Sequence, residues 1–127
     1  MKRAAACLAF LAVMAATIPA EAHGTAAIRR HRFTIVDGSS KVRGIYVTSE
    51  RHPRMHVTAF IIQGTRVIGE KNRGCSSCRR VRVQLRVPCR VGRPVYAVVQ
   101  GDVRGNGHFA VWNSKTLVCE AHPDSGA

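Results

Sequence analysis

The stretch CSSCRRVRVQLRVPC, residues 75–89, decides the fold. Within it Val81, Val83, Leu85 and Val87 alternate with Arg80, Arg82, Gln84 and Arg86. A period of two sends alternate side chains to opposite faces, so the segment reads as a β-strand with a dry aliphatic side and a wet cationic side. Working outward, short β-branched and aromatic runs recur at residues 28–36, 42–49, 54–63, 65–68, 95–100 and, with an interruption, 108–118. Turn chemistry separates them at Asp37-Gly38, His52-Pro53, Gly64, Asn72-Arg73-Gly74, Gly92-Arg93-Pro94 and Gly105-Asn106-Gly107. Strands at this spacing predict an all-β domain, an immunoglobulin-like or Greek-key β-sandwich of about seven short strands. The runs at 57–62 and 95–99 are apolar on both faces and belong at the centre of a sheet or beneath a covering loop.

The same strand serves as a ruler for the cysteines. Cys78 and Cys89 bracket it, and eleven extended steps separate them by about 36 Å. A disulfide tolerates only roughly 4.4–6.8 Å between Cα atoms. The expected pairs are therefore Cys75–Cys78 and Cys89–Cys119. The second pair depends on Asn113-Ser114-Lys115. As a bulge this tripeptide carries Cys119 to the end of the sheet where Cys89 lies; as a hairpin it carries Cys119 away. The bulge is the expectation, because it pairs all four cysteines. Cys75-Ser76-Ser77-Cys78 has the spacing of a thiol-exchange motif. It enters a strand rather than a helix N-terminus, and no βαβ pattern surrounds it, so it reads as a structural clip. A four-thiolate zinc site would need a second short pair, which is absent.

The amino-terminal segment sets the compartment. Lys2 and Arg3 precede an uncharged apolar run over residues 4–18, and Pro19, Ala20, Glu21 and Ala22 follow. That order predicts a cleavable signal peptide over residues 1–22 and a single small exported domain over 23–127, secreted or extracytoplasmic. The apolar run falls short of the ~20 residues a membrane-spanning helix needs, so no transmembrane segment is expected to remain. Cys7 leaves with the signal, and an even set of four cysteines in an exported chain favours disulfides.

Charge narrows the partners. The formal net charge is +13, with sixteen Arg against four Lys, and loss of Lys2, Arg3 and Glu21 leaves +12. Such a surface attracts polyanions and repels cationic chains. The expected anion-binding residues are Arg80, Arg82 and Arg86 on the wet side of the strand, extended from its end by Arg90 and Arg93. Arginine's fixed fork suits phosphate and carboxylate groups. An anionic cell-wall or surface polymer, or acidic lipid headgroups, are the expected partners. The basic strand carries no interleaved aromatics, so no specific nucleic-acid module is read. No H-E-x-x-H, G-x-S-x-G or P-loop motif occurs. The reading is a non-enzymatic binding module, with no catalytic residue and no cofactor assigned.

Two other readings come from residues at either end of the mature chain. Cleavage after Ala22 gives His23 a free amine beside its imidazole, a nitrogen-rich ligand set suited to Cu(II). His23 resembles the amino-terminal histidine of small periplasmic copper carriers and copper-dependent polysaccharide monooxygenases, which implies an extracytoplasmic copper-binding protein. Cys89, Cys119 and Pro94 resemble the second disulfide of the bacterial subtilisin-inhibitor family. That resemblance implies a protease-binding loop after Cys89, with Arg90 on it, although Arg90 stands where the family has a proline.

Overall fold

In a computed structural model the described residues are 26–103 and 108–121. The expected signal peptide, His23, the Gly105-Asn106-Gly107 turn and the tail after Ala121 lie outside them. Six strands form the described structure: β1 (Ala26–Val36), β2 (Ser39–Gln63), β3 (Arg66–Pro88), β4 (Pro94–Val103), β5 (Phe109–Asn113) and β6 (Leu117–Val118). No helix interrupts them, and the all-β expectation holds.

The strands differ from the expected seven short ones. Residues 42–49 and 54–63 belong to one 25-residue strand, and residues 66–68 and 79–87 to one 23-residue strand. Pro53 lacks a backbone N–H, but it sits just past the β2–β3 register shift, between the paired His52 and Arg54, and has no partner of its own in the register. Asn72, Arg73 and Gly74 do not turn. They pair with Thr58, Val57 and His56. The His56 ring lies across Gly74, 3.0 Å from where a β-carbon would stand. Glycine here marks a close approach rather than a reversal.

True reversals come at the two-residue loops. Asp37 and Gly38 hold φ of 52° and 75° between β1 and β2, the positive pair that a right-twisted hairpin favours. Gly64, with φ of 67°, opens the turn from β2 to β3.

All strand pairs are antiparallel and belong to a single curled sheet. β3 lines one edge of β2 for nearly its whole length. The other edge is shared: β1 pairs with Ser39–Thr48, and β4 with Met55–Gln63. β5 and then β6 pair with the far edge of β4. Between the two halves of the hairpin sit the register shift, the Cys75–Cys78 clip and Ser77 at φ 51°. There the hairpin bends, and its halves close over one another.

The inner faces make the core. Val42 and Tyr46 from the first half of β2 meet Met55, Val57, Ala59 and Ile61 from the second half, with Val83, Val95 and Val99 beside them. All are almost wholly buried. Gly44 lies between Val99 and Ile28, at 3.2 and 3.3 Å from where a β-carbon would be. A β-carbon on Gly101 would fall inside the Tyr46 ring. Tyr46 thus bridges the halves, and its buried hydroxyl has no hydrogen-bond partner among the described residues.

Burial, and secondarily the Asp102 charge, pushes the Tyr46 phenol well above its ordinary value. A raised folded-state pKa means stability is complete below the unfolded value of about 10 and declines as pH climbs above it. Denaturant midpoints should fall above that pH in the wild type and fall less in Tyr46→Phe. At neutral pH the Phe variant should be as stable or about 1 kcal/mol more stable, since it removes an unsatisfied buried hydroxyl. Gly101→Ala should lose about 1–3 kcal/mol by overpacking, measured by thermal or urea unfolding.

Candidate anion-binding face

The site begins with the register of β1, β2 and β3. Val81, Val83 and Leu85 pair with Tyr46, Gly44 and Val42, and turn to the core as the alternation requires. Their neighbours turn outward. Across the outer surface Arg82 lies opposite Ile45, which lies opposite Arg29. The next row is Gln84, Arg43 and Arg32, and the one after it is Arg86, Lys41 and Thr34. Arg80 starts a further row beside Val47. Neighbouring strands stand about 4.8 Å apart, so these cations form a two-dimensional array rather than a single line.

None of the described carboxylates, Asp37, Glu50, Glu70, Asp102 and Glu120, takes a register position on this face. All the arginines on it are exposed. Ile45 shares the outward orientation and does not join the core cluster, yet it is only 9% exposed. Arg30, Arg43, Arg82 and Gln84 surround it in a depression of about 180 Å³, with Gly44 at its base. The aliphatic stems of the arginines shield the isoleucine while their charged heads stay in water.

Arg30 reaches this depression through a bulge. Between Arg29 and Arg32 the register shifts, so Arg30 and His31 together oppose Gly44. Arg30 adopts φ of 52°, in the left-handed region. His31, next in sequence, stacks on Trp112 of β5 with ring centroids 4.3 Å apart and planes 19° from parallel. The bulge is thereby tied to the opposite half of the molecule.

The expected site residues separate into two groups. Arg80, Arg82 and Arg86 share the outer face, as the alternation predicts. Arg90 and Arg93 lie beyond β3, in the turn at the crosslinked end. Arg29, Arg30, Arg32, Lys41 and Arg43 were not expected there. The basic run Arg29-Arg30-His31-Arg32 and the alternation of Lys41 and Arg43 with Val42 and Gly44 are visible in the sequence. Only the hairpin register sets them beside Arg82 and Arg86.

Both disulfides join the expected partners, with Cα–Cα distances of 6.2 Å for Cys75–Cys78 and 6.1 Å for Cys89–Cys119. Ser114, Lys115 and Thr116 oppose only Tyr96 and Ala97, so the interruption is a bulge and β6 continues in the direction of β5. The Ser114 hydroxyl accepts from the Ala97 N–H at 2.8 Å and the Ser114 N–H donates to the Ala97 carbonyl at 2.9 Å, which keeps that stretch hydrogen-bonded. Disulfides persist in oxidising compartments, and two in so small a domain point to an extracellular setting. No helix among the described residues is long and apolar enough to cross a membrane.

The Cys89–Arg93 turn is braced from within. The Gln63 side chain donates to the Arg90 and Arg93 carbonyls at 3.1 and 3.3 Å and accepts from the Arg90 N–H at 2.8 Å. Gly92 N–H donates to the Cys119 carbonyl, and Cys119 N–H to the Arg93 carbonyl. These bonds fix the turn to the crosslinked end of the domain. Of the other described histidines, His52 and His108 are buried with ring centroids 5.0 Å apart, and His56 covers Gly74. Among the described residues no group of three or more His, Cys, Asp or Glu is placed to hold a metal.

Comparison with protein-family profiles, with curated proteins and with solved structures finds no match.

Intact mass of the oxidised protein should be four hydrogens below that of the reduced chain, and peptide mapping should link Cys89 to Cys119. The Cys89–Cys119 crosslink spans 30 residues of sequence and the Cys75–Cys78 crosslink three. In the chain-entropy account, removing the longer one should cost about 2 kcal/mol more, read as a difference in urea midpoints.

Proposed function

We propose that this protein is a non-enzymatic extracytoplasmic binding module, a two-layer β domain that holds an anionic polymer through the outer face of β1, β2 and β3. The observation that carries the reading is the register that aligns Arg29, Arg32, Lys41, Arg43, Arg82 and Arg86 on one surface without an acidic side chain among them. A single-sign array raises the local concentration of counter-ions and attracts a polyanion over a Debye length of ~10 Å at 0.1 M salt. A polymer suits it because successive anionic groups can occupy successive rows.

Binding to a polyanion such as polyphosphate should weaken steeply between 50 and 300 mM salt, as measured by fluorescence anisotropy. Replacing Arg80, Arg82 and Arg86 together with Gln should remove at least tenfold in affinity without lowering the unfolding midpoint, since the three side chains are exposed. Arg54, Arg66 and Arg73, exposed and away from this face, provide the matched control. Equal losses from the two triple variants would mean that net charge, and no particular surface, does the binding.

A further inference from the structure

Three arginines meet at one point of the cationic face, and the backbone is strained to bring one of them there. Arg43 and Arg82 come from neighbouring strands, and Arg30 enters from the β1 bulge opposite Gly44. Gln84, Gly44 and Ile45 complete the lining of the depression. Glycine takes a φ of 52° freely, whereas a residue with a side chain pays for it. A strained, exposed arginine beside two others calls for an account in terms of what it binds.

The donor set discriminates between anions. A carboxylate has two oxygens, one charge and about four acceptor sites, of which a single bidentate guanidinium fork fills two. Three forks and an amide offer more donors than a carboxylate can use. A phosphate or sulfate ester presents three terminal oxygens in a tetrahedral array, so forks approaching from three sides can each find one. A depression of about 180 Å³ has room for such a group with its ester link leading out.

We propose that Arg30, Arg43 and Arg82 form a seat for one tetrahedral oxoanion, a phosphoryl or sulfuryl ester carried on a polymer. The proposal rests on reading this face as a polyanion surface and names the anion it selects. A polymer is favoured over a bilayer because only one large exposed apolar residue, Val36, stands on this face, in its end row with Ser39 and Pro88. Val67 and Val91 are at or beside turns, Val118 is on β6, and Phe109 and Val111 are on β5. A single valine gives the face little to sink among headgroups.

Dextran phosphate, dextran sulfate and poly-glutamate of matched length and charge are titrated into the oxidised protein at 150 mM salt, followed by anisotropy. The wild type should bind dextran phosphate or dextran sulfate at least tenfold more tightly than poly-glutamate. Whichever of the two binds better identifies the ester. Arg30→Gly relieves the backbone strain and should unfold at the same temperature or higher, yet its preference over poly-glutamate should shrink to within threefold. Arg32→Gln removes one charge from the same face outside the seat and should weaken all three polymers alike. Equal binding of the three polymers by the wild type, or an undiminished preference in Arg30→Gly, overturns the seat and leaves the polyanion face standing. Binding of none of them overturns the reading of the face itself. Tighter binding to phosphatidic acid vesicles than to dextran phosphate at equal phosphate overturns the choice of a polymer.

Discussion

The contact between the Tyr46 ring and Gly101 is the one on which the rest of the structure depends. Tyr46 stands in the first half of β2, while Gly101 is on β4, which pairs with the second half. The ring occupies the space a side chain at residue 101 would need, and so sets how closely the two halves of the curled sheet approach. Val42, Val83, Val99 and Ile61 then fill the interior around it. An interior this dense transmits a change of one carbon to its neighbours. The unpartnered tyrosine hydroxyl is accepted because the ring area buried with it outweighs the lost hydrogen bond.

Closing the sheet in this way sorts its two surfaces. The inner face takes the aliphatic side chains of β2, β3 and β4. The outer face of the first half is left to the arginines, with Ile45 shielded under their stems. Like charges at this density repel one another, and that repulsion is relieved when an anion lies across them. The fold tolerates the array because the core lies on the opposite side and the cationic heads remain in water. Charge on this face and apolar packing behind it are two outcomes of the same alternation.

The crosslinks hold the two ends of this arrangement. Cys75–Cys78 sits where the long hairpin bends, beside Ser77 with its positive φ. At the opposite end Cys89–Cys119 joins the β3–β4 turn to the residues after β6. Gly38 adds to that end by donating to the Glu120 carbonyl and accepting from the Cys89 N–H. The Gln63 amide ties in the same turn. A domain with a modest core gains most from such constraints on its unfolded chain.

The sequence by itself determined the β class, the direction of each side chain on the strand at residues 79–87, and that neither Cys75 nor Cys78 reaches Cys89 along it. These follow from local rules: a period of two, a fixed rise per residue and the short reach of a disulfide. That Cys119 reaches Cys89 was decided by the bulge at residues 114–116, a matter of register on β4. It did not reveal that His52-Pro53 and Asn72-Arg73-Gly74 lie within long strands. Pro53 is left without a partner between the paired His52 and Arg54, and Gly74 lies under the His56 ring, and both are relations between residues distant along the chain. Nor did it reveal that Arg29, Arg32, Lys41 and Arg43 share a surface with Arg82 and Arg86, or that a bulge turns Arg30 toward them. Alternation fixes which face of its own strand a residue occupies; which residues of other strands stand beside it is set by hydrogen-bond register, and register is a property of the assembled sheet.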